Sequence, residues 1–302
     1  TALNEYRLGN ITEIEKNDIL NALRKNDNRG QIKHHMLVVP LSQQYNLTVS
    51  SASQRSSNIF SFMFSDHQSQ FKNTDSQEYM LNYRNFAKIT KWMDFSLSGM
   101  LHYSKDNNNG CSLATIQALS PYDMLIDENG DYLNVINDYY QPIIENQVPV
   151  EKFPYSDWSY NPLSEMDNRD LTTQKLNIRL QAGITLQLLK GLSYDAKVQY
   201  EILQDESRNL YKEGSYYVRN LVNTSSTWNK TDGTVTPNLM KGDILEERQV
   251  RTTGYNFRNQ LNFSRRFDKH EIDAIAGTEI SNTIIKGTAS PTVYGYNDDR
   301  LT

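Results

Sequence analysis

The chain has 302 residues, a formal net charge of −5, 37% hydrophobic residues and one cysteine. Interspersed acids and bases exclude nucleic acid as the expected partner, and lone Cys111 excludes an internal disulfide. No run approaches about eighteen apolar residues, which excludes a transmembrane helix but not a barrel, whose strands place only every second residue on lipid. The chain begins at Thr1 without a charged start, an apolar core and a cleavage site. The expectation is a removed signal peptide or an internal piece.

Thr1 to Leu41 does not alternate. Ile11, Ile14, Ile19, Leu20 and Leu23 fall at roughly helical spacing before Asn28-Arg29-Gly30, which predicts a short amphipathic helix packed on a larger body. Alternation begins at Gln43. Tyr45, Leu47 and Val49 share one parity, then Phe60, Phe62 and Phe64 after a turn at Ser51–Ser57, then Tyr79, Leu81 and Tyr83 after a polar loop at Asp66–Ser76. Phe86 breaks the parity and suggests a bulge. After Thr90-Lys91-Trp92, Met93, Phe95, Leu97, Gly99, Leu101 and Tyr103 resume it.

Ser104 to Asp170 is a long insert with five prolines. Within it Leu125-Ile126, Asn129-Gly130 and Tyr132-Leu133 predict a small hairpin on a type I′ turn. The strongest alternation follows. Leu176, Ile178, Leu180, Ala182, Ile184 and Leu186 oppose Asn177, Arg179, Gln181, Gly183 and Thr185; Lys190-Gly191 turns; Leu192, Tyr194, Ala196, Val198, Tyr200 and Ile202 oppose Ser193, Asp195, Lys197 and Gln199. Strands this long exceed the usual five or six residues and suit a tilted crossing of a bilayer, which takes about ten. Asp205 to Leu245 is a second long insert. Tyr255, Phe257, Leu261 and Phe263, with Asn259 as exception, then Ile272, Ala274, Ala276, Ile280 and Ile284, complete the pattern before Pro291.

Short and long connections therefore alternate, with all long ones at one end, as in outer-membrane barrels. The fold class expected is all-β: an antiparallel transmembrane β-barrel segment of about eight strands, with long extracellular loops and a short N-terminal helical stretch.

Motifs for chemistry are few. Asp127, Asn129 and Asp131 have calcium-loop spacing, but Gly130 is misplaced and no glutamate closes the loop, so a turn is expected. His34-His35 would point opposite ways in a strand, which disfavours a shared metal. No catalytic, cofactor or metal residue is assigned. Tyr139, Tyr140, Trp158 and Tyr160 cluster in the longest loop. They are candidates for contact with a ligand or a partner lipoprotein; the alternative is that they pack the loop onto itself.

Several stretches resemble the SusC/RagA family of TonB-dependent outer-membrane transporters: QQYNLTVSSAS (Gln43–Ser53), FKNTDSQEYMLNYR (Phe71–Arg84), ITKWMDFSLSG (Ile89–Gly99), SPYDMLIDENGDYLN (Ser120–Asn134), NPL (Asn161–Leu163), LLKGLSYDAK (Leu188–Lys197) and LNFSRRFDKHEIDAIAGTE (Leu261–Glu279). Their order and spacing are more specific than any one piece. Ser51-Ala52-Ser53 departs from the family's usual Gly-Gly turn. The resemblance implies a bacterial outer-membrane location and a barrel of about 22 strands around a plug. It implies uptake of oligosaccharides, glycans or peptides, with a SusD-like surface lipoprotein and TonB as partners. Residues 1–42 would be an extracellular connection and 43–302 barrel strands and loops, with plug and remaining strands outside this chain. Two other readings stay open on the residues alone: a secreted β-rich glycan-binding module, and a glycoside hydrolase on a β-scaffold.

Overall fold

The computed structural model describes residues 2–136 and 138–300. Helices α1 (Ala2–Arg7) and α2 (Glu13–Leu23) come first. A capping box starts α2: Thr12 Oγ1 accepts the Glu15 N–H, and the Glu15 carboxylate accepts the Thr12 N–H at 2.7 Å. α2 buries no residue, and Ile14, Ile19 and Leu23 stay exposed, so the expected packing on a larger body is not formed. α3 (Arg29–Gln31) runs into a wide helical turn, Ile32–Met36, which buries Ile32 and Met36. His34 and His35 lie in this turn rather than in a strand, with their rings edge-to-face at 4.6 Å.

The first meander is β1 (Leu41–Ala52), β2 (Ser56–Gln68), β3 (Asp75–Lys88) and β4 (Met93–Asn108). The first insert carries α4 (Leu113–Gln117), α5 (Gln141–Gln147) and α6 (Pro162–Asp167). The central hairpin is β5 (Arg169–Leu189) and β6 (Leu192–Tyr211). The second insert carries α7 (Tyr216–Thr224) and a two-stranded ribbon, β7 (Thr227–Asn229) with β8 (Thr234–Thr236). Last come β9 (Asp243–Phe267), β10 (His270–Ala289) and β11 (Val293–Tyr296).

One antiparallel sheet has the order β1-β2-β3-β4-β5-β6-β9-β10, and β11 pairs with β9 beyond the end of β10. Strands run further than alternation suggested: β5 has 21 residues and β9 has 25. The loop read at Asp66–Ser76 shrinks because Asp66, His67 and Gln68 still pair with Gln77, Ser76 and Asp75. Backbone pairing needs no apolar pattern, so the ladder continues where the pattern stops. Phe86 makes no bulge; it sits in register between Ser57 and Ser96 on the polar face.

Register gathers the apolar parity into continuous rows. One runs Val49–Phe60–Tyr83–Gly99–Leu180–Tyr200–Tyr255 across seven strands. Gly99 lets Leu180 pack close there: a Cβ would lie 3.3 Å from Leu180 Cδ2. The opposite face carries Ser96–Gly183–Lys197–Arg258–Glu279 and the ion pair Arg179–Glu201 at 2.8 Å. No second sheet covers the apolar rows among the described residues: Leu180 is 52% exposed and Ile280 70%.

The buried core lies instead at the long-loop end. Ile32 and Met36 pack with Cys111, Leu125, Val135, Leu163 and Met166 of the first insert. Cys111, within the first insert, is thus a core residue, and burial pushes its thiol up. Asn28 Nδ2 donates to the Ser120 and Asp123 carbonyls at 2.8 and 3.0 Å. Asn161 Nδ2 donates to the Leu125 and Leu133 carbonyls at 2.7 and 2.8 Å. The hairpin turn at Asp127–Asp131 is not type I′: Gly130 is left-handed at φ 91°, Asn129 is not. It is a longer turn, whose Asp127 carboxylate accepts the N–H groups of Asn129 and Asp131.

Asn161→Leu should strip both carbonyls and the Leu163 N–H of their side-chain partner, at a cost of about 1–3 kcal/mol. Limited proteolysis should then cut the first insert faster, while strand circular dichroism stays unchanged.

Candidate functional site

The two inserts form one cap at the long-loop end, sewn together by α7. Ser215 caps α7 by accepting the Val218 N–H at 3.2 Å. Its buried side, Val218 and Val222, packs with Tyr155 of the first insert and Ile244 of β9. Asn223 imitates a strand partner: its amide accepts the Tyr155 N–H at 3.0 Å and donates to the Tyr155 carbonyl at 2.8 Å. Buried Arg219 forms an ion pair with Asp157 and donates to the Asp157 and Ser159 carbonyls at 3.0 Å each.

The four aromatic candidates divide. Tyr139 and Trp158 meet edge-to-face at 5.7 Å, and Trp158 meets Phe153 at 5.2 Å, which in turn reaches Trp228 at 6.2 Å. Tyr160 packs separately against Tyr216 at 5.4 Å. Tyr140 stands apart and is 52% exposed. Tyr139 also donates to Asn220 Oδ1 at 2.6 Å. Three of the four therefore pack the cap, and Tyr140 alone presents a largely free ring.

Between α7 and the first insert lies a cleft of about 380 Å³, lined by Asp138, Tyr160, Arg169, Tyr216, Tyr217 and Asn220 over an apolar floor. Arg169 opens β5 opposite Tyr211, over whose ring its guanidinium sits at 5.8 Å. It pairs with buried Glu165 at 2.6 Å, and Glu165 also accepts the Tyr216 N–H. Gly110, at φ +77°, leaves room for this side chain; a Cβ there would lie 2.9 Å from it. Tyr216 donates to Asp138 at 2.9 Å. Burial, first of all, raises the phenols of Tyr160, Tyr216 and Tyr217, so they stay neutral. Neutral hydroxyls, an amide, a carboxylate and a guanidinium beside aromatic faces suit binding of a polar, polyfunctional ligand. Among the described residues no group of three or more His, Cys, Asp or Glu is placed to hold a metal.

Only Tyr160 of the cleft was singled out from sequence. Tyr216, Tyr217 and Asn220 lie in a segment read as loop. Their available signal was Ser215 before a run with Val218, Leu221 and Val222 at helical spacing.

No family model matches this sequence, and no curated protein matches it. Among solved structures, the chain is similar to the RagAB peptide transporter at TM-score 0.62 and 16% identity, covering 92% of this chain and 28% of that one. Against the RagAB peptide importer in its closed-closed state the TM-score is 0.64 with the same identity and coverage. In the open-open state it is 0.61, at 16% identity, with 89% and 27% covered. At this identity the likeness shows the fold: the sheet is a β-barrel segment, as the SusC/RagA resemblance implied. The chain spans less than a third of the chains it matches.

The cap should loosen at high pH. Burial pushes the Tyr155 phenol up to about 12 from 10.0. A raised phenol stabilises the fold fully below pH 10.0, and that contribution is lost as pH climbs towards about 12. Absorbance titration at 295 nm should show late-ionising tyrosines, with the late step smaller by one phenol in Tyr155→Phe.

Proposed function

We propose that this chain is a segment of an outer-membrane barrel of SusC/RagA type. On this reading the complete protein imports a nutrient too large for ordinary porins, with energy from TonB and a SusD-like lipoprotein as lid. The observation that carries the reading is the uncovered apolar face. Its rows reach about ten residues along each strand, the span of a tilted bilayer crossing, and the folded cap stands at one end only. The apolar rows then face lipid and the Arg179–Glu201 face lines the lumen. Residues 1–42, the inserts and the cap belong to the extracellular side, and plug and remaining strands to other parts of the protein.

The cargo we propose is a glycan fragment. The cap cleft supports it, since tyrosine rings and neutral hydroxyls suit sugars. A peptide is the second reading, favoured by the RagAB structures, which are described as peptide importers. Growth of a strain carrying only this transporter, on glycan fragments or on peptides as sole carbon source, separates the two. Growth on neither, with the protein absent from the outer-membrane fraction, would overturn the transporter reading in favour of a secreted binding module. Cleavage of a glycan by the purified protein would favour the hydrolase instead.

Two substitutions test the facing. Ile184→Arg puts a cation on the lipid face, at about 2–4 kcal/mol near the midplane, whereas Thr185→Arg faces the lumen and should cost much less. Urea midpoints of the complete barrel should differ in that order. Tyr140→Ala should weaken lipoprotein co-purification or uptake without changing those midpoints, because the Tyr140 ring is largely exposed.

A further inference from the structure

The polar face of the sheet carries three methionines, Met63 on β2, Met80 on β3 and Met100 on β4, and they are neighbours. In register Met80 stands directly between Met63 and His102, and Met100 lies two residues before His102 on the same face of β4. All four residues are half-buried. β3 and β4 are flanked by β2 and β5, so every cross-strand neighbour of Met80, Met100 and His102 belongs to this chain.

Directly opposed residues of an antiparallel pair place their Cβ atoms about 5 Å apart, and diagonal ones about 7–8 Å. Methionine covers such gaps with three rotatable bonds. Met80, Met100 and His102 can therefore close on one atom above the β3–β4 pair, whereas Met63 is a strand further from Met100.

His102 is already oriented for such a role. Its Nε2 lies 2.5 Å from Glu78 Oε1. A carboxylate only accepts, so Nε2 carries the proton and Nδ1 of the neutral ring keeps its lone pair. Nδ1 has no hydrogen-bond partner among the described residues, and the side chain is partly exposed. A carboxylate behind the imidazole is how metal-binding histidines are fixed. The nearest cation, Arg179 opposite Met100, is paired with Glu201 at 2.8 Å. Met100 borders a depression of about 410 Å³ that gives access from solvent.

We propose that Met80, Met100 and His102 form a binding site for a soft monovalent cation, Cu(I). Thioethers select Cu(I) over harder ions, imidazole suits it as third ligand, and Glu78 holds the ring from behind. On the barrel reading the site lies in the lumen wall; the inference goes beyond the import reading and holds for either cargo.

The test is anaerobic titration of the complete, detergent-solubilised protein with Cu(I) against a chromophoric Cu(I) chelator. One ion per chain should bind, with sulfur neighbours in the copper K-edge absorption spectrum. M80L or M100L should weaken binding at least about tenfold and the double variant further, while E78Q, which keeps all three ligands, should cost about tenfold. Leucine for methionine conserves volume, so the strands should stay folded. M93L, on the apolar face, and C111A, which removes the one thiol, should bind as the wild type does. Equal affinity of the M80L/M100L double variant and the wild type would overturn the proposal. So would loss of the ion in C111A, which would mark a thiol site, or Zn(II) binding as tightly as Cu(I), which would mark a nitrogen–oxygen site at His102 and Glu78. Should any of these occur while the protein still fractionates with the outer membrane and supports uptake, this inference alone falls; absence from that fraction removes the barrel reading itself.

Discussion

Everything in this molecule depends on register. Side chains alternate with period two, so a slip of one residue would turn a whole strand's apolar set to the other face. Across the seven pairings of the long strands the register shifts once, between Gln187 and Leu189 beside the turn into β6. The irregularity falls at the strand end, where only one further pair depends on it. Two polar residues that register carries onto the apolar face find tyrosine partners there. Asn259 accepts from the Tyr194 hydroxyl at 2.5 Å, and Asn58 from the Tyr83 hydroxyl at 2.9 Å. Each pairing removes the cost of an unmatched polar group on an apolar surface.

The sheet supplies none of the two main core clusters on its own; the cap has to build them. It does so with side chains that bond to backbone rather than to each other. Asn28, Asn161, Arg219 and Asn223 all reach carbonyls of a distant segment. A long irregular insert has many carbonyls without a ladder partner, and amide or guanidinium donors are the cheapest way to satisfy them. The cap is not fully satisfied: the indole N–H groups of Trp158 and Trp228 are buried without an acceptor. Both rings touch Phe153, so this aromatic cluster is the cap's least compensated part.

The sequence made the sheet legible because one physical rule, alternation, governs every strand within the apolar band. It failed where that rule stops. Strand ends beyond Tyr103 and Ile202 carry polar residues on both faces, so pairing continued unseen to Asn108 and Tyr211. β11 was missed because four residues cannot display a period. In the cap, Tyr139, Trp158 and Tyr160 were visible as aromatics, but their partners Asn220, Phe153 and Tyr216 come from segments brought together only by the fold. Arg169 was hidden differently: it reads as one charge among many until Gly110 and Glu165 fix its place.

The two outer strands carry the argument one step further. Every residue of β1 and of β10 is exposed, and β10 presents Ile275 and Ile285 on the polar face as well, 74% and 68% exposed. β1 has no proline or lysine to blunt its edge, although such devices are how soluble sheets prevent further pairing. Twelve and twenty residues of unguarded ladder fit strands meant to be flanked, as every strand of a closed barrel is. Closure would satisfy both edges and leave the apolar rows to lipid. A sandwich partner would have to cover those rows, and the cap sits at their end rather than over them.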